Sequence, residues 1–343
     1  MASAEIAFER SAVALESTDA RGTAITTPTH SFPWPIMITP ERVRAKPDDA
    51  RGTLVRNHRV KTTQVNARWE SEGTIDTDYI PLILQMISKG SITPTTPSGA
   101  TSARLWTATP TVSSDDLKAA TLWAGDPNLT TVRRAAFGMA EEFTVEADVG
   151  SEDGASGKLS GFCYYPTNVS APTYPAALTT GDILIPGAMQ LWIDTSSAIG
   201  TTEVTGRFLK TSWTIPTGAT KKRYAGGPTG GLNFTKAGRG KRAAKAELTL
   251  ELNDTSLAAE YASFEADTTV KVRIRLNGGF IETASTVDLY HYLQLDIYGK
   301  AEDFGWEEVE GVNRAFKVSI ESTYDSTLGA DFSLSSQNVR ATV

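Results

Sequence analysis

Few residues of this 343-residue chain have the types and spacing that catalysis or metal binding needs. No cysteine or carboxylate stands at ligand spacing from a histidine, so no metal site is expected at His30, His58 or His291. Glycines cluster at 226–231 without the strand-to-helix context or the Lys-Ser/Thr ending of a phosphate-binding loop. The adjacent Glu141 and Glu142 should point to opposite faces of a strand, which makes them a poor acid–base pair. The sequence therefore predicts a protein that is not an enzyme and binds no cofactor or metal.

The composition indicates a folded protein. Hydrophobic residues make up 40% of the chain and charged residues 21%, which is enough apolar material for two cores. The apolar run 79–87 is too short to cross a bilayer, and the N-terminus has no apolar signal region, so neither membrane insertion nor secretion is expected. The single cysteine, Cys163, predicts a buried thiol in a protein made in a reducing cytoplasm.

The periodic segments predict mainly β structure. Apolar and polar residues alternate at 142–149, 270–276 and 292–297, as they do in strands with one dry face. Long loops rich in Thr, Pro, Gly and Ala separate such segments, and loops of this length are often functional or lie at interfaces.

Two short helices interrupt the β pattern. One is predicted at Tyr79–Ser88, opened by Asp76 or Asp78 with Pro81 in its first turn. The other is predicted at Leu257–Phe264, opened by Asp254. Repeated β structure with one helix in each repeat is typical of two β-sandwich domains, each with a helix on its flank.

Sequence landmarks recur in the same order at nearly one offset, which favours a tandem duplication. Any long β protein offers some such landmarks by chance, and this alternative stays open. The predicted domains are 1–180, with an N-terminal arm, and 181–343, joined by the proline-containing segment 166–180. The landmark pairs are Leu15-Gly22 and Leu191-Gly200, Pro40 and Pro216, segments 67–76 and 247–254, and segments 142–148 and 316–321.

A basic loop at 217–246 stands out in a chain with a net charge of −7. Nucleic-acid binding, a solvated loop, and docking on an acidic patch of a neighbouring subunit are all compatible with it. A second basic run, between Arg42 and Lys61, occupies the equivalent place in the first repeat, which favours docking between subunits. The candidate docking residues are Lys221, Lys222, Arg223, Lys236, Arg239, Lys241 and Arg242.

Three segments resemble the major tail tube proteins of long-tailed, siphovirus-like bacteriophages. They are the run from Val65 to Leu84, the hairpin from Phe137 to Phe162, and the ending Phe316–Asn338, with its Tyr-Asp-x-x-Leu-Gly motif at 324–329. The likeness extends from about residue 30 to the end, and neither the first thirty residues nor the basic loop takes part in it.

The resemblance implies a structural virion protein of tandem tail-tube-like β-sandwich domains. Such subunits join their inner sheets around a ring, and the rings stack by self-assembly into a tube through which DNA is ejected. Closure of a ring removes exposed sheet edges. The implied partners are other copies of the chain, tail terminator and tail tip proteins, a tape-measure protein in the lumen, and DNA in passage. The implied location is the virion tail, assembled in the bacterial cytoplasm.

The resemblance also implies that acidic side chains line the lumen, because like charge keeps the phosphate backbone of DNA from adhering. The candidates are Glu142, Glu146 and Asp148, with Glu321 and Asp325 as their second-half counterparts. The same carboxylates would also be compatible with an outward, solvated face.

Two further choices remain open. Six single domains close a typical ring, so a duplicated chain favours a homotrimer with pseudo-sixfold symmetry, with a homohexamer second. A carbohydrate-binding or adhesin module is the alternative function, since seven Trp and ten Tyr could stack on sugars; a glycosidase is a weaker third option. Trp69, Trp192 and Trp213 alternate as core residues do, which favours the tail protein.

Overall fold

The computed structural model describes residues 10–46, 59–88, 90–111, 116–125, 130–178, 181–195, 198–225, 232–251, 265–307, 314–326 and 329–343. Within these ranges the chain is mainly β, as the alternating segments predict, with eighteen strands and one α-helix. Residues 10–178 are called the first half and residues 181–343 the second half.

Nine strands and the helix belong to the first half. They are β1 (Arg10–Leu15), β2 (His30–Phe32), β3 (Ile36–Ala45), β4 (Lys61–Thr74), α1 (Ile80–Ile87), β5 (Arg104–Ala108), β6 (Ala120–Gly125), β7 (Thr131–Asp148), β8 (Ser156–Cys163) and β9 (Thr167–Ser170).

The second half has the other nine strands. They are β10 (Gln190–Asp194), β11 (Phe208–Pro216), β12 (Ala219–Lys222), β13 (Lys236–Arg239), β14 (Lys245–Glu251), β15 (Val270–Ala284), β16 (Val287–Glu307), β17 (Ala315–Ser322) and β18 (Phe332–Asn338).

The two halves share one order of antiparallel neighbours. In the first half the strands run β3-β4-β8-β7, and in the second they run β11-β14-β17-β16. Because β7 also pairs with β11, the two runs form one eight-strand sheet, called here the joined sheet. A further order, β1-β6-β7-β9, recurs as β10-β15-β16-β18, and β5 extends the second set by pairing with β18.

The long strands β7 and β16 each take part in both kinds of sheet. Their first parts pair with β6 and β15, and their last parts pair with β8 and β17. A bulge marks this passage in each strand, between Ala140 and Glu142 in β7 and between Ala301 and Asp303 in β16. A bulge bends the strand and strengthens its twist, which lets one strand serve two sheets.

Helix α1 packs against β5, β7 and β18, and all eight of its residues are buried. Pro81 stands in its first turn, where the missing N–H costs no hydrogen bond. The helix lies where the sequence predicts it, but neither aspartate caps it. Tyr79 is the N-cap residue, and Asp76 Oδ1 instead accepts a hydrogen bond from the backbone N–H of Asp78 in the preceding turn.

One hydrophobic cluster extends through both halves and includes Trp69, Trp106, Leu248 and Phe316. Cys163 belongs to it, and burial raises the pKa of its thiol to about 12. The apolar residues of each alternating strand therefore face a shared interior.

Three features of the chain differ from the sequence predictions or lie outside the described residues. The predicted helix Leu257–Phe264 lies outside the described residues. The proposed linker 166–180 contains a strand, since β9 pairs with β7. Third, the landmark segments 142–148 and 316–321 are not structurally equivalent. Segment 142–148 lies in β7, whereas segment 316–321 lies in β17, which holds the sheet position of β8. The strand in the position of β7 is β16, and the sequence offset between these two strands differs from the offset that the landmark pairs share.

Candidate assembly surface

One side of the joined sheet carries a continuous row of polar side chains, called here the polar face. In β7, Glu142, Glu146 and Asp148 are exposed and Thr144 is half-buried on the same side, while Phe143, Val145 and Ala147 are buried on the other side. The cross-strand registers place further charged residues on the same side. Those residues are Glu70, Glu72, Lys158, Lys210, Lys245, Glu247, Asp303, Lys317 and Glu321.

Each of four lysines on the polar face lies next to a carboxylate. Lys158 Nζ is 3.3 Å from Glu72 Oε2 and 3.8 Å from Glu70 Oε2, and this contact raises the pKa of Lys158. Lys317 Nζ is 2.6 Å from Glu247 Oε2, and its hydrogen bond lowers the pKa of Glu247. The remaining contacts are Lys245 with Glu247 at 3.5 Å and Lys210 with Asp148 at 3.9 Å. The face is thus a mixture of charges in which these four lysines neighbour acids.

The two second-half carboxylates predicted to line a lumen differ from each other. Glu321 lies on the polar face, and a hydrogen bond with Glu302 raises its pKa. Asp325 lies beyond the end of β17, with its side chain only 16% exposed and its Oδ2 3.5 Å from Lys271 Nζ on β15. Asp325 therefore does not belong to the polar face, because the chain turns away from the sheet after β17.

The described part of the basic loop, called here the basic arm (217–225 and 232–244), packs on the first half of its own chain. Phe234 is fully buried against Phe137, Phe162 and Tyr164, at ring-centroid distances of 4.8 to 5.1 Å. Because Phe162 lies on the same side of β8 as Lys158, the arm covers one end of the polar face.

Charged residues also hold the basic arm in place. Arg223 donates hydrogen bonds to Asn66 and to the backbone oxygen of Leu232, and Lys221 Nζ lies 3.9 Å from Glu41 Oε2. Arg242 donates to the backbone oxygen of Thr111. Lys222, Lys236 and Arg239 lie in the two-stranded β12–β13 hairpin, and Lys241 follows it. Contacts of Lys221 and Arg223 are thus made within the chain, whereas docking on a neighbour stays a prediction.

The two outermost strands of the joined sheet each have one partner there among the described residues. β3 pairs with β4, and the last part of β16, residues 299–307, pairs with β17. Their other edges carry backbone groups without a strand partner in the described chain. Unpaired edges of this kind are templates for pairing with another chain.

Aromatic residues single out the edge at β16. Five of the seven tryptophans are buried, Trp192 is half-buried, and Trp306 in β16 is 63% exposed. Alternation predicts Trp69, Trp192 and Trp213 as core residues; Trp69 and Trp213 are buried, whereas Trp192 is half-buried. No local pattern in the sequence marks Trp306 as exposed, since it stands in an alternating strand as the buried Trp69 and Trp213 do.

The described residues form a cavity of about 610 Å³ where Leu232 and Asn233 of the basic arm meet the first half. Arg42, Arg134, Tyr164 and Tyr165 line it, and its lining holds no carboxylate, histidine or cysteine. The described histidines are apart from it and from each other: His30 contacts Thr29, and His291 contacts Thr77. His58 lies outside the described residues, and no group of three potential metal ligands occurs among those that are described.

Comparison with known proteins gives no family. No protein-family model matches the chain, and a search of curated proteins finds no match. Within the described ranges, no helix has both the length and the apolar character needed to cross a bilayer.

Proposed function

We propose that this protein is a structural subunit that assembles edge to edge into rings, and that the rings stack into the tail tube of a long-tailed bacteriophage. The observation that carries this proposal is the joined sheet. It runs through both halves of the chain, has a charged face on one side, and ends in two strands whose outer edges have no partner in the described chain. An assembly that closes a ring would satisfy both edges at once.

The β7–β11 contact supports the proposal, because it joins two equivalent sheets edge to edge within one chain, as a ring would join the sheets of neighbouring chains. Two runs with the same strand order meet there in antiparallel register from Lys210 and Asp148 to Pro216 and Glu142. Two tandem tail-tube-like domains, 1–180 and 181–343, would explain why this order occurs twice. Three chains would then supply six such units, so a trimer is preferred over a hexamer.

The polar face would line the lumen. Exposed carboxylates at Glu142, Glu146 and Asp148 would repel the phosphate backbone, and the lysines nearby would be neutralised by their acidic neighbours. A surface of this kind lets DNA pass without retention. Tail terminator, tail tip and tape-measure proteins would be the other partners of such a tube.

Negative-stain electron microscopy of the purified full chain tests the proposal. We expect rings or tubes of uniform width, and the mass per ring should be three times 36.8 kDa, or six times for the hexamer. A chain that remains a monomer over the whole accessible concentration range would contradict the proposal. The carbohydrate-binding alternative requires clustered exposed tryptophans, whereas Trp306 is the single exposed tryptophan.

A further inference from the structure

The cavity of about 610 Å³ between the first half and the basic arm is lined by two arginines, Arg42 and Arg134. Hydroxyl groups of four further lining residues add hydrogen-bond donors: Thr62, Tyr164, Tyr165 and Thr167. Carboxylates are absent from the described lining. We propose that this cavity binds a phosphate monoester with an aromatic or apolar body, the chemical class of the nucleoside monophosphates. The site needs no second copy of the chain, so it stands apart from the proposed function.

The strand registers explain why both arginines reach the cavity. Arg42 of β3 lies directly opposite Val65 of β4, and both line the cavity. Arg134 of β7 lies directly opposite Thr167 of β9, and this pair lines it too. Directly opposed residues turn to the same side of a sheet, so each pair fixes the direction of one guanidinium group. The neighbouring Arg133 is exposed and does not line the cavity, since successive residues of a strand alternate in direction.

Arg134 holds a donor that no described group satisfies. Its Nε is buried and has no hydrogen-bond partner among the described residues. Its Nη1 donates one long hydrogen bond, of 3.4 Å, to the backbone oxygen of Ile25. A buried donor without an acceptor is costly, and the cost is larger for a charged group. An oxyanion in the cavity would accept this N–H and supply the missing negative charge.

Arg42 is held by an aromatic ring. Its guanidinium carbon lies 4.7 Å from the centroid of the Tyr165 ring, which is a cation–π contact. Stacking uses the flat face of the guanidinium and leaves its in-plane N–H groups for an oxyanion. Neither Arg42 nor Arg134 takes part in an ion pair among the described residues. A phosphate monoester, with a charge of about −1.5 to −2 at pH 7, matches two such groups better than a single carboxylate does.

The remaining walls suit an organic body. Ala24, Val65, Ala136 and Leu232 give the cavity apolar lining. Its volume is far beyond the need of a bare phosphate, since a water molecule occupies about 30 Å³ in the liquid. Pockets of about 300 to 1,000 Å³ with apolar walls and a few polar groups are typical small-molecule sites. An aromatic ring attached to the phosphate would therefore lie against the apolar side.

The wall that the basic arm contributes is already in place. The backbone oxygen of Leu232 accepts hydrogen bonds from Arg223 and, at 3.0 Å, from the backbone N–H of Val65. Phe234, two residues further along the arm, is fully buried. Binding would therefore order little of the arm, because contacts within the chain hold it beforehand, and such preorganisation favours affinity.

Isothermal titration calorimetry of the full chain with phenyl phosphate, in about 0.15 M salt, tests the site. We expect saturable binding that is about tenfold tighter than binding of inorganic phosphate, because the ring is buried as well. Deoxyadenosine monophosphate should bind as phenyl phosphate does, whereas deoxyadenosine, which lacks the anion, should not bind. Glycerol phosphate should bind no better than inorganic phosphate. Equal affinity for glycerol phosphate and phenyl phosphate would overturn the assignment of an aromatic or apolar body.

Two variants connect the binding to the arginines. Arg134→Gln should weaken phenyl phosphate binding by about tenfold or more, since a hydrogen bond to a charged group has an effect of this size. Arg42→Gln should act in the same direction, and its exposed position makes an effect on folding small. The matched control is Arg133→Gln, which removes the same charge from the next residue of β7 and should bind as the wild type does. Thermal unfolding without ligand checks that all three variants are folded.

Three outcomes would overturn the site. The first is a wild-type protein that binds no phosphate probe saturably at millimolar concentration. The second is unchanged affinity in both Arg42→Gln and Arg134→Gln. The third is equal weakening in Arg133→Gln, which would show general attraction of anions to basic residues. Each outcome leaves the proposed function untouched, because none of these measurements depends on the assembly of rings.

Discussion

Arg223 Nη2 donates a hydrogen bond of 2.6 Å to Asn66 Oδ1, which ties the basic arm to β4 of the first half. Arg223 and Asn66 are 157 positions apart in sequence. Their hydrogen bond takes the place of the bonds to water that the Arg223 guanidinium would make if the arm extended into solvent. A cluster of basic residues is therefore partly explained by contacts within the chain, and Phe234 supplies the apolar anchor.

Truncation of this anchor should destabilise the protein. Phe234→Ala removes a fully buried ring packed against Phe137, Phe162 and Tyr164, and we expect a loss of about 3 to 5 kcal/mol in the free energy of unfolding. Urea denaturation followed by tryptophan fluorescence would measure it. Tyr224→Ala, at an exposed position of the same arm, should be close to neutral. Equal stability of the two variants would show that the arm is not docked.

Buried carboxylates hold equivalent turns in the two halves. Glu16 accepts a hydrogen bond from the backbone N–H of Gly22, and Asp194 accepts one from Gly200, where φ is +84° and +82°. Asp194 also accepts from the backbone of Thr201 and Thr202. Burial acts to raise the pKa of Asp194, but these hydrogen bonds outweigh it, so its pKa lies below the ordinary value.

Removing this acceptor should cost stability. In Asp194→Ala three backbone N–H groups lose their partner, and we expect a loss of about 2 kcal/mol or more. Asp194→Asn keeps one acceptor oxygen, so its stability should lie between that of the wild type and that of Asp194→Ala. Differential scanning calorimetry would rank the variants, with Asp153→Ala on an exposed turn as the control. A neutral Asp194→Ala would mean that water satisfies the turn.

Acid pH should weaken the contact between Glu282 and the loop at 101–103. The Glu282 carboxylate accepts hydrogen bonds from the backbone of Ala103, Thr101 and Ser102, and these bonds lower its pKa to about 2 from an ordinary 4.5. A depressed carboxyl pKa means that the folded state binds the proton less readily than the unfolded state. The stabilisation is therefore complete above pH 4.5 and is lost as the pH falls toward 2.

Glu282→Gln should remove this dependence. Its free energy of unfolding should decline less than that of the wild type between pH 4.5 and 2, as measured by urea denaturation at each pH. Glu152→Gln, at an exposed turn position, should retain the wild-type slope. Parallel slopes for all three proteins would argue against the hydrogen-bonded carboxylate as their source.

Charge reversal on the polar face should make assembled tubes bind DNA. Glu142→Lys combined with Glu146→Lys places positive charge on the proposed lumen, and we expect retention of short DNA to increase on the order of tenfold at low salt. The increase should disappear as salt rises. Filter binding would measure it, with Glu152→Lys and Asp153→Lys as a control of equal charge elsewhere. An equal increase in both variants would show that Glu142 and Glu146 do not line the passage.

The sequence determined the β class, the helix at 80–87 and the buried side of each alternating strand. These features depend on near neighbours, since the period of apolar residues fixes which side of Val145 or Trp213 turns inward. Burial of Cys163 followed from the same rule. Alternation also identified the exposed carboxylates Glu142, Glu146 and Asp148.

Tertiary structure alone decided which strands lie side by side. Pairing of β7 with β11 joins residues more than sixty positions apart, and no local pattern selects that partner from the others. It also moved Asp325 off the polar face and brought lysines next to the acids there. Phe143 and Phe304 occupy equivalent positions in similar sequence patterns, yet one is buried and the other is half-buried. The physical reason is that burial of a strand residue depends on the strand beside it, and for Phe143 that strand is β11, where Ile215 lies opposite.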